Sequence, residues 1–506
     1  MKIINNQDLC LAPPFVSDMQ GAPDIDPRLS SGASKLRKGK LDKLPWDHSG
    51  RHPGNPLFWK LILVMLSVGL SYIFRRRQKD SIPVFEGGRI LAATHINGLV
   101  DPAMMISSQD RRVISMGRHD LMTMPLIGWF SRRMGSQPVI RRPEIASGVS
   151  DQEYAKKIND RTLLTMTNCI ASGFNAVVMP EGKSHQDSHL HRLKTGPMRF
   201  ALNASAIAKK KRTSSPAIQP VGLHFRCHHW FRTDVFVEFP DPIIVDPPDK
   251  PDLAQKLTSG VWEEPPSEQV NQLRNQLFES LSPLTPDAPD WETYRAWHLI
   301  GHIRANNHNS TLESFRDEVL SARDVRNSLS GRKDKDKLIQ PSIEAAEILH
   351  SHDLDGRCIR GTGLSSEKPW TKAIIGLSLM AVTAPITIPS TGIQAFIAWY
   401  FGDRTDEGID ARTSFHMLAG MFSPVLFWPP LSVAIAIVAH PLSMATPLIS
   451  VALMISFHCA NLIFLLGYDL WTDFTYSVRI ARLDSSDKAE RLSYLLSEIR
   501  SNLNLL

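Results

Sequence analysis

Cysteine is scarce in this chain and never closely spaced. The five cysteines in 506 residues, Cys10, Cys169, Cys227, Cys358 and Cys459, include no Cys-x-x-Cys pair. An odd number without that spacing excludes a disulfide scaffold and a zinc ribbon, and predicts a reducing compartment for most of the chain. Excess charge is lacking too. Lys plus Arg number 57 against 51 Asp plus Glu, a balance of +6. That excludes a histone-style nucleic-acid coat, which needs a strongly basic domain with clustered charge. No apolar run precedes about Pro56, so no secretory signal is expected. Apolar residues amount to 42% with a mean hydropathy of −0.15, figures that describe an ordinary soluble protein. They hide a chain divided between polar and very apolar parts.

What is present falls into about three domain-sized units with flanking segments. Residues 1–55 are rich in Pro, Gly, Ser, Asp and Lys without periodicity, and read as a disordered arm. Its basic cluster Lys35, Arg37, Lys38, Lys40 and Lys43 suits solvent or anionic lipid headgroups. Residues 56–78 hold the apolar stretch Leu57–Phe74, followed at once by Arg75, Arg76 and Arg77. Such a stretch is just long enough to cross a bilayer core of about 30 Å. Basic residues on both sides suit an interfacial or dipping helix equally well. In 79–250, short apolar runs alternate with helical-length segments: Arg89–Ala93, Val113–Met116, Ala176–Met179, Ile218–Leu223 and Val235–Phe239. This is the pattern of an α/β domain, closed by the prolines at 240, 242, 247, 248 and 251. Residues 251–370 are polar and helical, as in Ser267–Leu281 and Thr311–Leu329.

The apolar material concentrates in 371–470. Ile374–Phe401 carries no charge but contains Pro385 and Pro389, which predicts two half-helices folding back at Pro385–Gly392. Ser414–His440 and Leu442–Tyr468 follow as two further apolar stretches. Arg404 and Arg412 before them, and Arg479 and Arg482 after, place both outer ends in the cytoplasm. Residues 471–506 then read as a cytosolic helix. The stretches lack Asp, Glu, Lys and Arg in their interiors. An ion-coupled transporter keeps such residues at membrane depth, so these segments read as an anchor.

Chemistry concentrates in four clusters of the α/β domain. Thr94-His95-Ile96-Asn97-Gly98-Leu99-Val100-Asp101-Pro102 follows an apolar run, so an imidazole and a carboxylate stand at a sheet mouth. They suit a general base with an orienting partner. Gly135-Ser136-Gln137-Pro138-Val139-Ile140-Arg141 pins a loop and presents a guanidinium fork suited to phosphate. Met179-Pro180-Glu181-Gly182-Lys183-Ser184-His185 continues to Leu190, Leu193, Lys194 and Gly196. Gly182-Lys183-Ser184 looks like the tail of a nucleotide phosphate loop, but that motif needs Gly where Val177 stands, which excludes it. Ile218-Gln219-Pro220-Val221-Gly222-Leu223 is a further short strand.

In this order the clusters resemble the glycerolipid acyltransferase superfamily that includes lysophosphatidic acid acyltransferases. Its blocks map to His95/Asp101, Gly135/Pro138/Arg141, Pro180/Glu181/Gly182 and Pro220, over roughly residues 80–245. Five residues, not four, separate His95 from Asp101. With Asn97, Pro102, Ser184, His185, Leu190, Leu193, Lys194 and Gly196, that spacing is similar to the fungal-type glycerol-3-phosphate/dihydroxyacetone-phosphate branch. The resemblance implies an α/β acyltransferase domain with helices around a mixed sheet, a helical region and C-terminal membrane helices. It implies direct acyl transfer: His95 deprotonates the acceptor hydroxyl and Asp101 stabilises the imidazolium. Arg141 and Lys194 hold the acceptor phosphate, and Gly135 and Pro138 shape their loop. Glu181, Gly182 and Ser184 shape the acceptor site, Pro220 borders the acyl chain, and a backbone N–H near Gly98 or Val139 steadies the oxyanion. Acyl-CoA is a co-substrate, and no cofactor or metal is called for. The implied partners are glycerol 3-phosphate or a related phosphorylated acceptor and membrane lipids, not nucleic acid. The implied location is a membrane with a cytosolic catalytic domain, the endoplasmic reticulum in a eukaryote or the inner membrane in a bacterium. Two alternatives are acylation of 1-acylglycerol 3-phosphate and a non-catalytic lipid-binding scaffold. The histidines at 185, 189 and 191 and at 224, 228 and 229 were weighed as metal ligands and read as surface or core residues.

Overall fold

The computed structural model describes residues 32–44, 46–365, 369–404, 408–440 and 444–506. Its centre is a mixed sheet. The strands are β1 (Phe74–Lys79), β2 (Arg89–Ala93), β3 (Val113–Arg118), β4 (Gln137–Val139), β5 (Asn175–Val178), β6 (Ala217–Phe225), β7 (Thr233–Glu238) and β8 (Ile243–Ile244). Their order is β1-β7-β6-β2-β5-β3-β4, with β8 on β6. The pairs β2–β5, β2–β6, β3–β5, β3–β4 and β1–β7 are parallel, whereas β6 meets β7 and β8 antiparallel. β2 and β5 are buried along their whole lengths. Strands covered on both faces read as unbroken apolar runs, which is why the sequence shows them so clearly.

Helices cover both faces. Gln152–Ala171 and Gly196–Lys211 pack on one side. On the other lies Pro56–Ile73, started by Asn55, whose side chain accepts from Leu57 N and Phe58 N. Trp59, Ile62, Met65, Leu66, Leu70 and Ile73 share a core with Leu91, Ala93, Val221 and Val235 of the sheet. The opposite face, with Leu57, Leu61 and Val64, is exposed. This apolar helix is therefore bound along one face to the α/β domain. The arm differs from its disordered reading where it is described. Leu41 and Leu44 pack with Met122, Ile140 and Ile158, and Lys38 pairs with Asp151 at 2.8 Å. Apolar residues spaced among the lysines supply the burial that composition alone obscured. The part of the arm at 1–31 lies outside the described residues.

Among the described residues, four helices are long and apolar enough to cross a membrane: Pro56–Ile73, Trp370–Gly402, Ile409–Ala439 and Thr446–Asp484. Trp370–Gly402 bends at a π-helical turn, Ile388–Gly392, next to Pro385 and Pro389. Both its ends meet the α/β domain. Lys372 and Arg75 share Asp473, while Arg412, against Gly402, pairs with Asp403 and donates to His229 O. Its middle reaches deeper partners: Ser390 O accepts from Trp428 Nε1, and Thr391 Oγ1 from Asn461. The chain thus enters and returns in two half-helices. Gly376 and Gly467 let the first half lie close against Thr446–Asp484, since a Cβ on either would come within 2.7 Å of the other's carbonyl oxygen.

The polar region and the C-terminal helix form one body. Helices Trp291–Asn307, Phe315–Leu329, Asp336–Ser351 and Lys488–Ser501 share a core with Ile480 and Leu483. Buried charge joins this body to the sheet. Arg226, after β6, donates to both oxygens of Glu318 at 2.6 and 2.7 Å and to Asp234 at 3.2 Å. Arg226 therefore holds the Glu318 carboxyl, despite its burial, well below the usual carboxylate range.

Candidate active site

Three loops leave the carboxyl ends of neighbouring or nearby parallel strands, where open α/β sheets place their ligands. His95 follows β2, Glu181 follows β5 and Arg141 follows β4. The first loop turns through Gly98, whose φ of +38° lies in the left-handed region. That turn brings Asp101, in the first turn of helix Val100–Ser107, back onto His95. His95 Nδ1 donates to Asp101 Oδ2 at 2.9 Å. The same oxygen accepts from Ile96 N at 2.8 Å and Asn97 N at 2.7 Å. Asp101 is fully buried, whereas the His95 side chain keeps 22% exposure. The extra residue in the motif is therefore absorbed without loss of the contact.

Three carboxylates bear on His95. Burial opposes charging the imidazole, but the hydrogen bond and charge of Asp101, with Asp410 and Glu181 adding, outweigh it. The net result is a pKa above the usual histidine value. With Nδ1 committed, Nε2 is left for a substrate proton, the division of roles a general base needs.

Glu181 is buried and works as a brace. Its Oε2 accepts from His95 N at 3.2 Å, and its Oε1 from His185 Nε2 and His191 N, each at 2.7 Å. His185 N in turn donates to His95 O at 3.0 Å. Gly182, at φ +77°, lets the loop turn beside the Lys194 stem, and Lys194 N donates to Pro180 O at 2.7 Å. Ser184 faces the Asp410 side chain. Glu181, Gly182, Ser184 and Lys194 are thus gathered around one loop beside His95.

The remaining predicted residues take other places. Arg141 lies beyond β4, three strand positions from β2, and donates from Nε and Nη2 to Glu144 Oε1 at 2.8 and 2.6 Å. Its Nη1 has no partner among the described residues. Gly135, at φ +88°, ends helix Leu126–Met134 against Gly54, and Pro138 is buried in β4. Both shape the scaffold beneath Arg141. Pro220 is buried inside β6, paired with Ala92. It sits where β6 changes partner from β8 to β7, a position that tolerates a residue without an N–H. A border to an acyl chain there would need a path through the sheet.

His185, Asp187 and His191 bring potential metal-ligand atoms within 4.8 Å of one another. Both His185 nitrogens are already used, Nε2 by Glu181 and Nδ1 by the Asp187 N–H, and His191 Nε2 is bonded to Asp187. As packed, the cluster is a hydrogen-bonded brace around Glu181.

Sequence reading missed the residues that reach this loop from the apolar segments. Thr413 Oγ1 donates to Asn97 Oδ1, and Leu99 N donates to Ser414 Oγ at 2.9 Å. Nothing local in the sequence signals them, because more than 300 residues separate each pair.

Residues 74–224 match the family described as Acyltransferase. Over 151 residues the chain is 28% identical to glycerol-3-phosphate O-acyltransferase 2 of Saccharomyces cerevisiae, spanning 30% of this chain and 19% of that relative. A solved structure, the 1-acyl-sn-glycerophosphate acyltransferase PlsC of Thermotoga maritima, aligns with a TM-score of 0.29 and 14% identity. That alignment covers 43% of this chain and 81% of the other.

Proposed function

We propose, from the membership of residues 74–224 in the acyltransferase family, that the chain moves a fatty acyl group from acyl-CoA to the hydroxyl of glycerol 3-phosphate or dihydroxyacetone phosphate. The observation that carries this reading is the His95–Asp101 contact at 2.9 Å with Nε2 left over. His95 Nε2 takes the hydroxyl proton as the oxygen attacks the thioester carbonyl. The C–S bond breaks, and coenzyme A leaves with the proton returned by the imidazolium. Asp101 stabilises the imidazolium through the same hydrogen bond. A backbone N–H near Gly98 or Val139 steadies the oxyanion. Arg141 Nη1 and Lys194 supply positive charge for the acceptor phosphate. The reaction uses acyl-CoA as co-substrate and no separate cofactor.

The apolar helices support an active site at a bilayer. Each buried methylene of an acyl chain is worth about 0.8 kcal/mol, so a reaction at the interface avoids drawing that chain through water. On this reading residue 260 and residue 500 both face the cytosol, since Leu257 packs in the α/β core, the C-terminal helix shares a core with the polar helices, and Arg226–Glu318 joins the two. The test is incubation of membranes carrying the protein with labelled acyl-CoA and an acceptor panel. Incorporation into lysophosphatidate, lost in His95→Ala while membrane binding persists, is expected. Turnover retained in His95→Ala overturns the assignment, and activity only on lysophosphatidate moves the acceptor to acylation at the second position.

A further inference from the structure

The apolar helix Ile409–Ala439 begins against the catalytic loop rather than in open solvent. Three consecutive features of that start touch it. A Cβ at Gly98 would stand 2.8 Å from Asp410 O and 2.7 Å from Ser414 Oγ, so the turn and the helix start are in close contact. Thr413, 1% exposed, donates to the Asn97 side chain, and Asn97 Nδ2 donates to His228 O at 2.7 Å. Ser414, 5% exposed, accepts from Leu99 N. Both hydroxyls therefore hold residues inside the five-residue turn whose N–H groups fix Asp101. From the same helix start, the Asp410 side chain reaches the other loop at Ser184.

We infer that residues 410–414 are a working part of the active site. Thr413 and Ser414 are positioning residues that fix the His95–Asp101 turn, with Asp410 O packed against Gly98 beside them. The inference rests on the acyl-transfer reading for its effect on rate, but the geometry it describes stands apart from the reaction. Asn97 N donates to Asp101 Oδ2, so an Asn97 side chain released by Thr413 loosens the oxygen that orients the imidazole. The segment that anchors the protein in the bilayer then also sets the geometry of its base.

The test uses the full chain in lipid nanodiscs, with Thr413→Val, Thr413→Ser and Ser414→Ala. One arm follows diethyl pyrocarbonate modification of His95 against pH, resolved by mass spectrometry from the other histidines among the 18. The groups facing His95 are Asp101, Glu181 and Asp410, all untouched by these variants. Thr413→Val is expected to lower the His95 titration midpoint, because the orienting carboxylate is less firmly held. Thr413→Ser keeps the hydroxyl and restores the midpoint. The second arm measures transfer: kcat falls about ten- to hundredfold in Thr413→Val with KM for both substrates within about twofold, the cost of a misplaced base. A folded Thr413→Val protein with an unshifted midpoint overturns the inference, as does a Thr413→Ser protein as impaired as Thr413→Val. If Thr413→Val does not fold, Ser414→Ala decides in the same way through Leu99. A wild type that transfers to no acceptor while the midpoints move sinks the reaction and leaves the positioning role standing.

Discussion

Replacing Asp101 by Asn separates charge from geometry at the proposed base. Asp101 Oδ2 accepts from His95, Ile96 N and Asn97 N, while its Oδ1 is buried without a hydrogen-bond partner among the described residues. The two backbone N–H groups force the Asn oxygen into the Oδ2 position. The imidazole then keeps its tautomer, and the amide nitrogen occupies the Oδ1 position. Geometry survives, but the carboxylate charge is gone. Two unit charges about 4 Å apart are worth about 4 kcal/mol at an effective dielectric near 20. Partial charging of His95 in the transition state realises most of that, so kcat should fall about 10²–10³-fold. The acid limb of the pH profile moves in a stated direction. His95 must be neutral to act, and Asp101 raises its pKa above the usual value. Activity of the wild type therefore falls as pH drops through that raised value, and in Asp101→Asn it falls only at a lower pH. The assay is initial-rate acyl transfer in nanodiscs between about pH 5.5 and 9. A variant within tenfold of wild-type kcat, or one whose acid limb stays put or moves up, refutes the role given to Asp101.

Other sites give further expectations. Glu181→Gln sets an amide against N–H donors from His95 and His191, and thermal unfolding should show a loss of about 1–3 kcal/mol for each donor left unmade. Gly98→Ala drives a methyl into Ser414 Oγ and Asp410 O at a positive φ; transfer should drop sharply while membrane extraction behaviour stays that of wild type. Arg226→Met strands Glu318, 4% exposed, without its main partner. Denaturant unfolding should show a loss of about 3–5 kcal/mol, and pairing it with Glu318→Leu should recover much of it. A double-mutant cycle in which the pair adds like independent sites would count against the buried bridge.

How much of this was legible in the sequence follows from where the determining contacts lie. The strands showed themselves because burial on both faces leaves apolar runs, and β2 coincides with the run Arg89–Ala93. His95, Asp101 and Glu181 were legible because polar residues directly after such runs stand at the sheet mouth. The bend of Trp370–Gly402 was legible in Pro385 and Pro389. Arg141 is different. Its position suggested phosphate, yet Glu144 three residues on takes part of its fork, a capping arrangement visible in Arg-Arg-Pro-Glu once the helix start is known. The order of residues 32–44 and 46–55 was hidden because much of the burial of Leu41 and Leu44 comes from Met122, Ile140 and Ile158, distant in sequence.

Contacts distant in sequence also explain why the membrane part and the catalytic part form one machine. The apolar segments lack charge in their depth, so their specific attachments concentrate at the ends, where polar groups meet the α/β domain. There Asp469 pairs with Arg232, Asp473 with Arg75, and Thr413 and Ser414 hold the base loop. Arg232 adds bonds to the carbonyls of Ser71 and Phe74, at the junction between helix Pro56–Ile73 and β1. If these helices lie in a bilayer as proposed, a tilt of Thr446–Asp484 would reach the sheet edge through two ion pairs, and a shift of Ile409–Ala439 would reach His95 through two hydroxyls. The second path is the shorter and lies nearer the proposed chemistry. Detergent extraction that preserves the sheet but frees the apolar helices should lower kcat before it lowers thermal stability, and transfer assayed across nanodiscs of increasing thickness should vary in wild type more steeply than in Thr413→Val. Equal thickness dependence in the two proteins would show that the bilayer acts on the reaction by another route.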